Sequence, residues 1–239
     1  MNDKNKKVEG FYFHPETGIP YVSVTEVLSV IDKSRPLMYW AMEKMFYGLR
    51  ADPTLNFEKA RAIPFASNND AKNRGTTVHS IVEAYKNGHP IDLDSIPTQF
   101  RGYAKGFNKW VNDNKVEVVS KEKTVFSHKY GYAGTYDLVC KLNGTDDIWL
   151  IDVKTGKAIY DEVELQLSAY KQALSEEGIN VTRMGVILLT EDGDPEWKEK
   201  TEKYDIGSFL NAKGLWEWKN KGLVKKIMET YQSKQLVMN

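Results

Sequence analysis

Five residues of chemically useful types lie near one another in the sequence: Asp137, Asp152, Lys154, Gln166 and Tyr170. Carboxylate oxygens are the hard ligands that Mg²⁺ and Mn²⁺ prefer, and Mg²⁺ typically takes only one or two carboxylates together with water and substrate phosphate. A lysine ammonium beside such a cation can orient a nucleophile and stabilise the charge that develops on a phosphate. The residue types therefore point to metal-assisted hydrolysis of a phosphate ester.

Two predicted strands must bring the aspartates together, because the two residues are well separated along the chain. Residues 136–142 are rich in β-forming side chains, and residues 148–153 form an apolar run. Asn143–Gly144 lies between them and is the pair typical of a tight hairpin turn. Strands paired through this turn would place Asp137 beside Asp152.

A strand end and the helix after it are predicted to hold the other three side chains. Asp152 and Lys154 are two residues apart on one strand, so their side chains point to the same face. Residues 161–174 have the apolar spacing of a helix, on which Gln166 and Tyr170 lie one turn apart.

The acid-x-lysine pattern by itself is a weak signal here, because 28% of the residues are charged. It occurs at several places that are expected to be solvated surface. Only the Asp152 copy follows an apolar strand, comes after an aspartate-bearing strand and leads into a helix with glutamine and tyrosine. The alternative for Asp152 and Lys154 is an ion pair at a strand end, which would contribute little stability.

Four motifs occur in a fixed order: GTTVHSIVEAY at 75–85, GTYD at 134–137, IDVK at 151–154 and QLSAY at 166–170. Together they resemble the PD-(D/E)xK nuclease superfamily, specifically its RecB-type branch, which includes Cas4-like proteins and phage-encoded exonucleases. The resemblance covers about residues 21–189. It implies an α/β fold with a central mixed β-sheet flanked by helices, a restriction-endonuclease-like core, and a helical N-terminal region that closes over the site.

The resemblance also implies a metal centre. His79, Asp137, Asp152 and the main-chain carbonyl of Val153 would hold one or two Mg²⁺ or Mn²⁺ ions. In this branch a glutamate often occupies the strand before the GxxD strand, and Glu122 matches it. Whether Glu122 faces the metal or the solvent depends on a strand register that the sequence leaves open.

The remaining site residues are expected to act on the nucleophile and the substrate. Lys154 would position the attacking water, and Gln166 and Tyr170 would bind the phosphate or order Lys154. Three further residues are expected to contact the DNA backbone: Arg74, Thr155 and Lys157.

The function implied is a divalent-metal-dependent DNA exonuclease in phage or cellular recombination, repair or replication. Its substrate would be DNA with a free end and a single-stranded segment, and a recombination or helicase protein is a candidate partner. Two alternatives stay open: a structure-specific endonuclease with the same chemistry, and a non-catalytic accessory protein that binds DNA ends.

Composition limits the remaining possibilities. The 239 residues include 33 basic and 33 acidic ones, so any DNA-binding potential must be local, and 41% hydrophobic residues suffice for a core. A single cysteine, Cys140, excludes an intramolecular disulfide and cannot supply a four-cysteine iron–sulfur cluster, and we expect it to be a packing residue. The polar N-terminus predicts no signal peptide, and no segment approaches the ~20 apolar residues of a membrane helix. The expected location is the cytoplasm, or the host cytoplasm for a phage protein.

The whole chain, 1–239, is predicted to be a single nuclease domain. Residues 1–114 would be mainly helical, residues 115–190 would form the catalytic αβ core, and residues 191–239 would form a hairpin and a helix. Within the core, residues 181–190 are predicted to form a buried strand parallel to the Asp152 strand.

Two N-terminal helices matter for the site. One is predicted from about residue 67 to 86 and carries Arg74 and His79. The other covers LMYWAMEKMFYGL, residues 37–49, whose apolar side chains we expect in the core. Base stacking by Tyr39 or Trp40 is the alternative interpretation.

Overall fold

One mixed sheet forms the centre of the protein, in a computed structural model that describes residues 7–238 except for the side chains of residues 68 and 234–238. The seven strands are β1 (Phe11–Phe13), β2 (Pro20–Ser23), β3 (Glu117–Ser127), β4 (Tyr132–Lys141), β5 (Trp149–Thr155), β6 (Arg183–Leu189) and β7 (Glu196–Glu199). Their order is β1-β2-β4-β5-β6-β7, and β3 pairs with β4.

Helices cover both faces of the sheet. They are α1 (Val24–Val27), α2 (Ser34–Ala51), α3 (Phe57–Ala84), α4 (Arg101–Asp113), α5 (Glu162–Glu176), α6 (Ile206–Lys219) and α7 (Lys221–Met238). One buried cluster joins the sheet to α1, α5, α6 and α7, and a second joins it to α3 and α4. The predicted α/β class, a central mixed sheet flanked by helices, is confirmed.

The strands around the predicted site pair as the sequence indicated. β4 and β5 are antiparallel, and β5 and β6 are parallel with α5 between them. Asn143 and Gly144 both have positive φ, 53° and 71°, so the predicted turn forms within a longer loop from residue 142 to 148. Cys140 is fully buried in the sheet, in agreement with a packing role.

The prediction that α2 contributes to the core is wrong. None of its residues is buried, and its neighbour in the fold is α3. The two helices approach closely at Gly48, where a Cβ would lie 2.2 Å from Ile63 Cδ1. The apolar pattern correctly indicated a contact face on α2, the side that packs on α3. The same helix also carries large apolar side chains on its outer side, and these are exposed.

The helix that carries His79 starts ten residues earlier than predicted. Asn56 caps α3, and its Oδ1 accepts a hydrogen bond from the Lys59 N–H at 3.0 Å. The helix then continues through Pro64 and Gly75. The C-terminal region holds two consecutive helices, α6 and α7, where one was predicted. Within the described residues, none of the helices is both long enough and apolar enough to cross a membrane.

Candidate active site

A gap along one edge of β4 defines the site. β3 pairs with one edge of β4 over nearly its whole length, so β2 and β5 must share the other edge. β2 pairs with residues 132–133 and β5 with residues 138–140. The GTYD motif, residues 134–137, therefore occupies the interval between two neighbouring strands.

Asp137 lies where the β4–β5 ladder ends. The last pair is Leu138 with Ile151, and one step further Asp137 comes opposite Asp152, as the hairpin predicted. The Asp137 side chain is buried, and its Oδ2 accepts a hydrogen bond from the Val153 N–H at 2.6 Å. A carboxylate thus takes the place of a backbone acceptor at this point of the sheet.

His79, Glu122 and Asp137 form the group best suited to hold a metal ion among the described residues. His79 Nδ1 lies 3.2 Å from Glu122 Oε1 and 3.4 Å from Asp137 Oδ1. The ligand atoms of the three residues all lie within 4.8 Å of one another. Two oxygen donors and an imidazole suit Mn²⁺ and, with added water, Mg²⁺.

The orientation of Glu122, which the sequence left open, is toward the site. Its φ is +46°, in the left-handed region that non-glycine residues occupy at a cost of about 1–2 kcal/mol. Strand alternation therefore does not fix the direction of this side chain. A strained residue that contacts His79 is typical of positions held by function.

A chain of polar contacts runs from Asp152 to α5. Lys154 Nζ donates to Asp152 Oδ1 at 3.0 Å and to Gln166 Oε1 at 3.3 Å, and Gln166 Nε2 donates to the Tyr170 hydroxyl at 3.3 Å. Asp152 Oδ2 lies 2.8 Å from the same ammonium, but the contact is not aligned as a hydrogen bond. This buried oxygen has no hydrogen-bond partner among the described residues.

Burial and mutual repulsion raise the carboxyl pKa values in the site. Burial is the main cause for both aspartates; it raises the pKa of Asp152 to about 6 and also raises that of Asp137. Burial by itself would lower the pKa of His79, but the Glu122 hydrogen bond and the charge of Asp137 raise it to about 9. Without a cation the cluster therefore favours a protonated imidazole.

Lys154 keeps its charge although it is half-buried. Burial disfavours the ammonium, yet the neighbouring carboxylates of Asp152 and Asp137 raise the pKa of Lys154 above its usual value. The side chain is thus a cation and a hydrogen-bond donor at neutral pH.

The GTYD motif begins with glycine because the Tyr170 ring leaves no space for a side chain at position 134. A Cβ at this position would lie 2.5 Å from Tyr170 Cε1 and 3.2 Å from the Tyr170 hydroxyl. The ring of Tyr170 packs directly on the β4 backbone inside the gap, and its hydroxyl meets Gln166.

The three residues expected to contact DNA lie near the end of β5 and within the second half of α3. Thr155 is the last residue of β5, and its Oγ1 is 3.9 Å from the position of a Cβ on Gly75. Arg74 is half-buried, and its Nε has no hydrogen-bond partner among the described residues. Lys157 lies in the loop after β5 and is exposed. Arg74 and Thr155 therefore share one end of the site, and Lys157 lies beyond it.

The sequence analysis missed Glu162 in the first turn of α5. Its charge contributes to the raised pKa of Lys154, and its Oε1 accepts a hydrogen bond from Lys33. An acidic residue in a first helical turn is ordinarily explained by the helix dipole, so the sequence carried no separate signal for this contact.

The chain matches no protein-family model and no curated protein. Among solved structures it is similar to an alkaline exonuclease from Laribacter hongkongensis, with 10% identity over 91% of this chain and 94% of that one and a TM-score of 0.44. It is also similar to a predicted exonuclease from Eubacterium rectale, with 14% identity over 89% of this chain and 82% of that one and a TM-score of 0.41. At such TM-scores the likeness does not assign a function, which has to be argued from the site.

Proposed function

We propose that the protein is a divalent-metal-dependent deoxyribonuclease of the PD-(D/E)xK superfamily, and specifically an exonuclease. The observation that carries the proposal is the buried gap beside β4. Two aspartates and a charged lysine meet there, and one carboxylate oxygen, Asp152 Oδ2, has no aligned donor. A structural ion pair between Asp152 and Lys154 would not require the neighbouring cluster of His79, Glu122 and Asp137.

The residues present fit a divalent cation. His79, Glu122 and Asp137 would hold one ion, and the Asp152 carboxylate, which contacts Lys154, would join them or hold a second. The N–H and C=O of a residue in an extended strand point to the same edge. Since the Val153 N–H points to Asp137, its carbonyl is proposed as a further ligand. A bound Mg²⁺ or Mn²⁺ would supply Lewis-acid polarisation of the scissile phosphate and lower the pKa of the attacking water.

Lys154 is proposed to be a charged donor and not a proton acceptor. Its raised pKa keeps the ammonium protonated. Asp152 and Gln166 fix its position, so it can donate to the attacking oxygen and stabilise the negative charge that grows on the phosphate. Tyr170 orders Gln166, and through it Lys154.

Exonuclease action is preferred because the α5 motif QLSAY and the GTYD motif together resemble the RecB-type branch. Its substrate would be DNA with a free end, and Arg74, Thr155 and Lys157 would contact the backbone near the β5 end. A role in recombination, repair or replication, a helicase or recombination partner and a cytoplasmic location belong to the same proposal.

The test is digestion of end-labelled linear DNA and circular DNA, each single- and double-stranded, with Mg²⁺, Mn²⁺ or EDTA. Linear DNA should be degraded with either cation and survive in EDTA, and circular DNA should survive throughout. Product lengths would give the direction of digestion. Asp137→Asn protein is the matched control, because an asparagine oxygen can still accept the Val153 N–H.

Cleavage of circular DNA would show that the protein is an endonuclease and not an exonuclease. Binding of DNA ends without cleavage under any of these conditions would favour the non-catalytic alternative.

A further inference from the structure

The helical hairpin formed by α2 and the first part of α3, residues 33–74, carries most of its apolar surface outward. Its exposed aromatic rings are more than half accessible: Tyr39 and Phe46 are 57% exposed, Phe57 is 67% and Phe65 is 69% exposed. Soluble proteins rarely expose this many large rings in one region unless the surface binds something.

The hairpin is also the basic part of an electrically neutral chain. Residues 33–74 contain eight lysines and arginines and four acidic residues, a net charge of +4, whereas the whole chain has a formal net charge of zero. The remainder of the protein is correspondingly acidic. A positive potential is therefore concentrated where the exposed rings lie.

Two arginines flank two aromatic rings along α2 at helical spacing. Arg35, Tyr39, Phe46 and Arg50 are separated by four, seven and four residues, which places them along one side of the helix. The guanidinium carbon of Arg50 lies 5.9 Å from the centre of the Phe46 ring. The pair combines an exposed aromatic ring with a positive charge.

On α3 one arginine lies between two rings. Phe57, Arg61 and Phe65 follow at intervals of four, and the Arg61 guanidinium carbon lies 6.0 Å from the centre of the Phe57 ring. Arg61 and Phe65 share one side of α3 with Glu58, and the Arg61 guanidinium is paired with the Glu58 carboxylate at 2.8 Å. Each helix of the hairpin thus carries one pair of an exposed ring and an arginine.

The α3 side chains lead toward the site. Arg61 and His79 are eighteen residues apart, which is five turns, so they lie on the same side of α3 about 27 Å apart along its axis. Lys72 lies between them, two turns from His79. A chain molecule that followed this side of the helix would reach the proposed metal centre.

We infer that the hairpin binds single-stranded DNA, with bases stacked on its exposed rings and phosphates paired with its arginines, and delivers that strand to the site. This inference rests on the proposed function and deepens it, since it names an unpaired strand as the form of the substrate. Every base offers a π-face, so rings interleaved with cations suit a single strand without sequence preference. An apolar protein partner would instead bury the net positive charge of the hairpin at a high desolvation cost.

The experiment measures binding of labelled single-stranded oligothymidylate in EDTA, where metal-dependent cleavage cannot occur. Tyr39→Ala and Phe46→Ala should each weaken binding about tenfold. Tyr39→Phe should bind like the unmodified protein, because the ring is kept. Arg50→Gln and Arg61→Gln should each make the salt dependence shallower by about 0.7 in the log–log slope.

Trp218→Ala is the matched control. Trp218 on α6 is 66% exposed and lies under the Lys221 ammonium at 5.9 Å, so it is a ring–cation pair outside the hairpin. Its removal should leave the affinity unchanged.

Three results would overturn the inference. They are equal affinity in the hairpin variants and the unmodified protein, an equal loss in Trp218→Ala, and a loss of affinity that occurs only together with a change in sedimentation. The last result would assign the hairpin to contact between copies of the chain. Failure of the proposed nuclease function would look different, because DNA would bind through the hairpin in EDTA and stay uncut when cations are added.

Discussion

The site beside β4 and the α2–α3 hairpin both depart from the usual rule that charged side chains are exposed and large apolar ones are buried, and they do so in opposite ways. In the site, charged side chains are enclosed: Asp137 is 7% exposed and Asp152 is 2% exposed. In the hairpin, large apolar rings are in solvent. Burying a charge and exposing a contiguous set of rings are both unfavourable in isolation. The partners proposed for the two regions differ accordingly: a cation for the first and a strand with stacked bases for the second.

The two regions differ in what they do to the stability of the fold. Raised carboxyl pKa values mean that ionised aspartates reduce the free energy of unfolding. For Asp152 this penalty is absent below the ordinary pKa near 4, grows as the pH rises, and is complete above about 6. The hairpin, in contrast, buries little against the sheet, so changes in its outer side chains should scarcely affect stability.

The largest predicted effect is on catalysis and separates the regions most sharply. Asp137→Asn should reduce DNA cleavage about a thousandfold or more, because a charged metal ligand is lost. Its melting temperature without metal should equal or exceed that of the unmodified protein, since a buried charge is removed. Cleavage rates and thermal melts check both parts. Normal cleavage by this variant would mean that the gap is structural.

Two phenylalanine substitutions compare the core with the hairpin directly. Phe107 is fully buried between the Tyr85 and Trp110 rings, so Phe107→Ala should cost about 3–5 kcal/mol in the free energy of unfolding. Phe46→Ala removes the same side chain from an exposed position and should change that free energy by no more than about 0.5 kcal/mol. Urea unfolding followed by circular dichroism measures both. Similar losses would show that the hairpin is covered in solution.

Metal addition should stabilise the protein through the site, and this stabilisation should not depend on the side chains of the hairpin surface. At a hundred times its dissociation constant, Mn²⁺ should raise the free energy of unfolding by about 2.7 kcal/mol. His79→Ala should shift the Mn²⁺ titration to higher concentration, whereas Phe46→Ala should leave it in place. Calorimetry and metal-dependent melting provide the data. An unchanged titration in His79→Ala would assign that imidazole to packing.

The smallest predicted effect concerns two glycines near the site. Gly134→Ala should cost about 1–3 kcal/mol and weaken cleavage, because the added methyl group collides with the Tyr170 ring. Gly75→Ala, on α3, meets nothing closer than Thr155 Oγ1 at 3.9 Å and should stabilise the helix by up to about 1 kcal/mol. Thermal melts of the two variants should therefore move in opposite directions. A stable Gly134→Ala would contradict the close packing of Tyr170 on β4.

Local patterns predicted the elements that carry the motifs. The apolar run before Asp152, the Asn143–Gly144 turn and the helix with Gln166 all occur where the sequence indicated, because strand and helix periodicities are properties of neighbouring residues. The i, i+4 spacing also predicted that Gln166 and Tyr170 share one face of that helix, where the Gln166 amide donates to the Tyr170 hydroxyl at 3.3 Å.

The errors arose where distant segments decide the outcome. The apolar pattern of α2 predicted a core helix, yet a helix is buried only if the fold brings enough surface to it, and here only α3 packs against it closely. The direction of Glu122 depended on a positive φ inside β3, which no strand pattern encodes.

The sequence by itself determined the order of the strands and helices, because that order follows from local spacing along the chain. It also supplied the residue types that could take part in catalysis. Only the tertiary structure decided that β2 and β5 share one edge of β4, which leaves Asp137 at the gap between them, and that α3 and β3 bring His79 and Glu122 to it. Pairing between strands and helices far apart in sequence depends on how whole surfaces fit together, and local periodicity carries no information about that fit.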